Sequence, residues 1–325
     1  MRIVITGGAG FLGVRLARAL LARETLTDAR NVARAVREIV LLDIAAPPDL
    51  GDSRVCAVAG DLGDPAVIER VVTPDTDSIF HLAAVVSGEA EASFDLGMRV
   101  NLDATRSLLE RCRRLASPPK FVFASSLAVF GGVLPDPVPD DAPLTPQASY
   151  GTQKAICELL VYDMTRKGFI DGRSLRLPTV TVRPGKPNKA ASSFASGIIR
   201  EPLAGVDAVC PVVATTRMWV ISPRAVIANL IVGHEAPASA FAQSRSVNVP
   251  GIVVSAEEMV AALRRVAGDA VADRVKWEID PPIARIVATW PANFAPRLGP
   301  ALGMRGDADF EGIVRAYIAD DMPKG

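Results

Sequence analysis

Tyr150 and Lys154 stand four residues apart in "SYGTQKAICELL", where apolar positions recur at helical spacing, so both side chains lie on one helix face. A phenol with an ordinary pKa of about 10 is a poor base near neutrality, but a neighbouring ammonium favours the phenolate. Lowering that pKa by about three units takes roughly 4 kcal/mol, within reach of cationic neighbours in a dry pocket. The pair could then take the proton of an alcohol. By itself the spacing also suits an ordinary surface pair. Order along the chain favours chemistry: a glycine-rich turn comes first, then "FVFASSLAVFG" closing a fifth strand, then Tyr150 opening the next helix. Strand ends at one edge of a parallel sheet face the ligand crevice, so Ser126 can bond the oxygen whose proton Tyr150 removes.

The glycine-rich turn lies in "MRIVITGGAGFLGVRLARAL", which reads strand, turn, helix. Gly7, Gly10 and Gly13 fit G-x-x-G-x-x-G, and Gly8, Gly10 and Gly13 fit G-x-G-x-x-G. Such glycines allow a tight turn and a close backbone approach to a pyrophosphate, which the positive end of the helix attracts. Phe11 and Leu12 open that helix and join Gly7 and Gly10 in the expected cofactor set. Asp43, closing "EIVLLD", is placed to accept bonds from ribose hydroxyls and would repel a 2'-phosphate, which favours NAD over NADP. It follows Gly13 by 30 residues, longer than usual, so "ETLTDARNVARAVRE" reads as an inserted loop with a helical turn. In "GDL", Asp61 with Leu62 could meet the adenine, or Asp61 could merely cap the next helix.

These residues need a parallel sheet to hold them. "RIVIT", "EIVLLD", "RVCAVAG", "DSIFHLAA" and "KFVFASS" alternate with amphipathic stretches, which predicts an α/β, Rossmann-type doubly wound parallel sheet covered on both faces. Long helices are expected over 96–115 and 151–166. Beyond residue 182 the rhythm breaks into helical stretches near 192–201, 222–234, 255–267 and 308–319, with short strands such as "RSVNVP" and "VKWEID". The expected organisation is an NAD-binding unit over 1–182, joined again by 212–236, and a smaller α+β substrate-binding portion over 183–325. Five prolines and three aspartates in residues 135–146 predict an irregular surface loop. Lysine plus arginine (36) balance aspartate plus glutamate (36), which argues against nucleic acid as partner. No apolar run reaches the length of a membrane span, and the N-terminus leaves no room for a signal peptide, so a cytoplasmic protein is expected. Cys56, Cys112, Cys157 and Cys210 lack zinc spacing, and no metal is expected.

The ordered set "TGGAGFLG", Asp43, "GDL", "HLAA", Asn101, "SSLAVFG" and "YGTQK" resembles the extended short-chain dehydrogenase/reductase family, which contains NAD-dependent nucleotide-sugar epimerases and dehydratases. The resemblance implies Ser126, Tyr150 and Lys154 as catalytic residues, with Lys154 also holding the nicotinamide ribose and Ser125 structural. It implies that Ala83 lines the cofactor, that Pro178 meets the nicotinamide, that His81 is structural, and that the two long helices form a homodimer.

Departures from the family pattern narrow the substrate. Thr179 stands where sugar-nucleotide enzymes carry asparagine, Leu127 follows Ser126 where dehydratases carry an acid, and aromatic residues are only 5% of the chain. A small, oxygen-rich anion fits better than a nucleotide. In "RPGKPNKAASS", Lys186 and Lys189 could attract a carboxylate and Asn188 could bond hydroxyls, or the prolines could simply shape a basic loop. Arg217, in "TTRMWVISP", could clamp a carboxylate instead. With the long insertion before Asp43, these features resemble the D-erythronate-oxidising branch of the family. That implies NAD-dependent oxidation of a sugar acid at C2 to the 2-oxo acid, with Ser126, Tyr150 and Thr179 at the substrate. The alternative is a nucleotide-sugar epimerase that retains its NAD.

Overall fold

The structure is a computed structural model, described here for residues 1–185, 190–241 and 244–322. Its centre is a sheet of seven strands: β1 (Arg2–Thr6), β2 (Glu38–Asp43), β3 (Val55–Ala59), β4 (Thr76–His81), β5 (Lys120–Ser126), β6 (Asp171–Leu177) and β7 (Ser246–Asn248). All run parallel in the order β7-β6-β5-β4-β1-β2-β3, which is the doubly wound arrangement. Strands buried on both faces need apolar residues throughout, and β1 and β2 carry near-continuous apolar runs for that reason.

The helices that pack on the sheet and on the second core include α1 (Phe11–Leu21), α2 (Pro65–Val71), α3 (Ala104–Arg113), α4 (Ser149–Arg166), α5 (Ser193–Leu203), α6 (Pro223–Glu235), α7 (Ala256–Ala267) and α8 (Phe310–Asp320). Leu16, Leu20, Val226, Leu230 and Ile231 bring α1 and α6 against one face, while Leu108, Leu109, Cys157 and Val161 bring α3 and α4 against the other. A π-helical segment, Met98–Asp103, leads directly into α3, so the stretch expected over 96–115 is one helical run. A three-stranded sheet (Thr179–Val180, Arg217–Ile221, Ile252–Ser255) forms a second core with α5, α7 and α8 through Ile198, Val220, Met259, Leu263 and Ile313.

Three expectations change. The insertion before Asp43 is an antiparallel hairpin, Thr25–Thr27 with Ala33–Ala35, and contains no helical turn. Long-range bonds hold it: Glu235 accepts from the Thr27 N–H at 3.1 Å, and Lys120 Nζ donates to Thr27 Oγ1 at 2.6 Å. "RSVNVP" is not part of the smaller layer, because β7 extends the central sheet beside β6. The proline-rich loop includes a two-residue strand, Val138–Pro139, paired with Phe294–Ala295. Among the described residues, no helix is long and apolar enough to cross a membrane.

Candidate active site

β5 ends at Ser126, in register with Leu177 of β6, so both strands open at the same edge of the sheet. Ser126 Oγ accepts the Ala128 N–H at 3.1 Å and starts the turn Leu127–Val129. The N-terminus of α4 sits directly on that turn. A Cβ at Gly151 would stand 2.1 Å from the Ala128 carbonyl oxygen, so only glycine permits this approach. Tyr150, the residue before, is thereby brought towards Ser126, whose hydroxyl acts to lower its pKa.

Lys154 lies one turn further along α4, buried, with Nζ donating to the Ala124 carbonyl at 2.8 Å. The ammonium is 4.6 Å from the centre of the Phe123 ring and 5.6 Å from that of Tyr150. Burial brings its pKa down to about 8, against the opposing influence of Cys157 and Glu158. Burial pushes the Tyr150 phenol up to about 12, opposed by the Ser126 hydrogen bond and the Arg183 guanidinium. Arg183 opposes that rise, while Lys154 Nζ bonds the end of β5 from a position over the Tyr150 ring.

Ser125 points away from this pocket. It donates to Glu158 at 2.5 Å, and Glu158 in turn receives Arg176 at 2.8 Å, a buried network consistent with a structural role. His81 bridges Thr6 at 2.6 Å and Thr105 at 2.8 Å, and burial depresses its pKa to about 3, so the neutral ring also serves structure. Asn101 ties the segment after β4 to α4 by bonds to the Val85 N–H at 2.8 Å and Gln153 at 2.8 Å.

The glycine turn fits a dinucleotide. Gly7 has φ +73°, and a Cβ there would reach 2.9 Å from the Ala83 nitrogen. A Cβ at Gly13 would stand 2.2 Å from the Gly7 carbonyl oxygen, so helix and turn close only without side chains. Gly10 caps α1 without any side-chain acceptor, leaving the helix entrance at Phe11 and Leu12 open to a phosphate. Asp43 accepts the Ala9 N–H at 3.0 Å, which fixes the turn against the end of β2. Asp61 accepts the Gly63 N–H at 2.8 Å and pairs with Arg99 at 2.8 Å. It does not cap the following helix, whose cap is Asp64. Leu62 is buried beside it, and Ala83, after β4, donates its N–H to Thr6 Oγ1 at 3.2 Å.

On the substrate side, Pro178 is buried immediately after β6, and Thr179 is half-buried opposite Val220. Lys186 and Asn188, like Lys189, lie outside the described residues. Arg217 is exposed at the start of its strand, three residues back from Val220, or about 10 Å along a strand. The residue that sequence reasoning passed over is Arg183, the first of the "RPGKPNKAASS" stretch, whose charge acts to lower the Tyr150 pKa. Its position just beyond the sixth strand, at the edge where Ser126 ends the fifth, was the available signal.

A family model described as "NAD dependent epimerase/dehydratase family" matches residues 3–219. The chain is 57% identical to D-erythronate dehydrogenase of Cupriavidus necator over 98% of both chains. It is 45% identical to D-erythronate dehydrogenase of Haemophilus influenzae over 99% of this chain and 100% of that one. Among solved structures, that of a nucleoside-diphosphate-sugar epimerase from Agrobacterium tumefaciens superposes with a TM-score of 0.92 at 42% identity, covering 98% of this chain and 94% of the other.

Proposed function

Because this chain belongs to the NAD dependent epimerase/dehydratase family and is an NAD-using oxidoreductase acting on CH–OH groups, we propose that it oxidises a small sugar acid of the D-erythronate type at C2 to the 2-oxo acid. The observation that carries this reading is the 57% identity to a D-erythronate dehydrogenase across 98% of both chains. In the proposed reaction, Tyr150 takes the C2 hydroxyl proton while Ser126 holds the same oxygen. NAD supplies, when bound, the acceptor for the hydride that leaves C2. Lys154 keeps a positive charge beneath the tyrosine ring and, by family resemblance, bonds the nicotinamide ribose.

The seating of the α4 start on the Ser126 turn supports these roles, since both side chains can then meet one substrate oxygen. Gly7, Gly10, Phe11, Leu12, Asp43, Asp61, Leu62, Ala83 and Pro178 would hold NAD with Tyr150 and Lys154, and Thr179 would line the substrate. Residues 1–182 with 212–236 would form the cofactor side and 183–325 most of the substrate side. Exposed Ile156, Leu159 and Tyr162 on α4 support a homodimer formed through this helix.

The Agrobacterium structure of an epimerase keeps one competing reading in view, in which NAD stays bound and the hydride returns to the other face. The test is NADH formation with four- to six-carbon aldonates, lactate and UDP-sugars. Aldonate turnover supports the proposal. Interconversion of UDP-sugars without net NADH, and silence on every acid, would overturn it.

A further inference from the structure

We propose that Arg183 is the clamp for the substrate carboxylate and so restricts the enzyme to 2-hydroxy acids. The inference rests on the sugar-acid reading above and names the group that recognises the acid. In a 2-hydroxy acid the carboxylate is bonded to the carbon that reacts. Its cation must therefore stand beside Ser126 and Tyr150; Arg217 is exposed and precedes Val220, the partner of Thr179, by about 10 Å of strand, which makes it the rival candidate.

Arg183 is reached from the sheet edge at which Ser126 ends and acts electrostatically on Tyr150. The chain leaves β6 at Leu177, level with Ser126, and reaches Arg183 through the short strand Thr179–Val180. The Arg183 backbone is then pinned at both ends by α5: its N–H donates to Ser196 Oγ at 3.0 Å, and its carbonyl accepts Arg200 Nη1 at 2.8 Å. Thr181, 3.2 Å from Ser196 Oγ, braces that anchor. The guanidinium, by contrast, is poorly satisfied. Its side-chain contact is Ser192 Oγ at 3.5 Å, and among the described residues it has no acidic partner. Other buried arginines do have one: Arg173 pairs with Asp171, Arg176 with Glu158 and Arg200 with Glu201.

A half-buried guanidinium without a counter-ion is unfavourable, and a planar carboxylate matches its donors two at a time. Burial and the nearby Arg200 charge both lower the Arg183 pKa, an environment that an incoming anion relieves. The same charge favours the Tyr150 phenolate, so one residue would both seat the acid and ease proton removal beside it.

The test compares Arg183→Ala, Arg183→Lys and Arg217→Ala on D-erythronate and on erythritol, its uncharged counterpart, with NADH affinity measured in parallel. For Arg183→Ala, kcat/KM on the acid should fall about 100-fold or more while that on erythritol changes little, so discrimination collapses. Arg183→Lys should recover only part, because an ammonium cannot form the two parallel bonds. Unchanged NADH affinity would show that the fold is intact. Near-normal acid kinetics in Arg183→Ala, an equal loss on both substrates, or a loss that falls on Arg217→Ala instead would overturn the assignment. Should the wild type oxidise no acid, titration of its NADH complex with the same acids decides separately. Binding that needs Arg183 would uphold the clamp while the reaction assignment fails, and binding that ignores Arg183, or none, would overturn the clamp too.

Discussion

A methyl group added at Gly151 would stand 2.1 Å from the Ala128 oxygen, 2.9 Å from its carbonyl carbon and 3.0 Å from Pro146 Cβ. Ordinary carbon-to-oxygen contact is well beyond 3 Å, so Gly151→Ala must push the start of α4 away from the Ser126 turn by on the order of 1 Å. Tyr150 is the neighbouring residue and moves with it. A displacement of that size between reacting groups costs about 100-fold in rate. The stability effect is smaller: overpacking costs about 1–3 kcal/mol, partly offset by up to about 1 kcal/mol from replacing a helical glycine. The glycine-rich turn lies on other elements, so NADH should bind with nearly normal affinity. Steady-state kinetics on the sugar acid, NADH fluorescence titration and thermal melting together read the three effects. A variant with wild-type kcat and unchanged melting would refute the idea that this contact sets the Ser126–Tyr150 geometry, and parallel loss of NADH binding would refute its confinement to the catalytic edge.

Tyr150→Phe should lower kcat by about a thousandfold while NADH titration remains normal, as expected for loss of a general base. Because the phenol is held near 12 in the protein alone, the phenolate fraction grows with pH. kcat/KM on the acid should accordingly rise from pH 7 towards pH 10, and a flat profile would count against a tyrosine base. Glu158→Gln leaves Arg176 buried without its charge partner and removes the strong acceptor of Ser125. It should cost about 3–5 kcal/mol in denaturant unfolding, whereas a change under 1 kcal/mol would show that the network is dispensable.

What could be read in the sequence tracks how local its causes are. Strands such as "EIVLLD" announce themselves because burial on both faces demands unbroken apolar runs, and the glycine turn because close approach demands missing side chains. The hairpin at Thr25–Ala35 could not be read this way. Its stability comes from Glu235 and Lys120, far along the chain, while its own residues suit a helix equally well. β7 has only three residues and is a strand because β6 offers a free edge. Arg183 escaped notice for a similar reason: Tyr150, Ser196 and Arg200 give it meaning, and sequence distance hides all three.

The β7–β6 pairing also bears on how such enzymes can be recombined. Cutting the chain at residue 182 to graft a different substrate portion would remove Ser246–Asn248 and bare the hydrogen-bonding edge of β6, including the Ser174 N–H and the Arg176 carbonyl. An uncovered parallel edge invites pairing with other chains. A workable exchange would therefore carry the strand at 246–248 along with the cofactor half, so the exchangeable module is a set of segments and not a contiguous half of the gene.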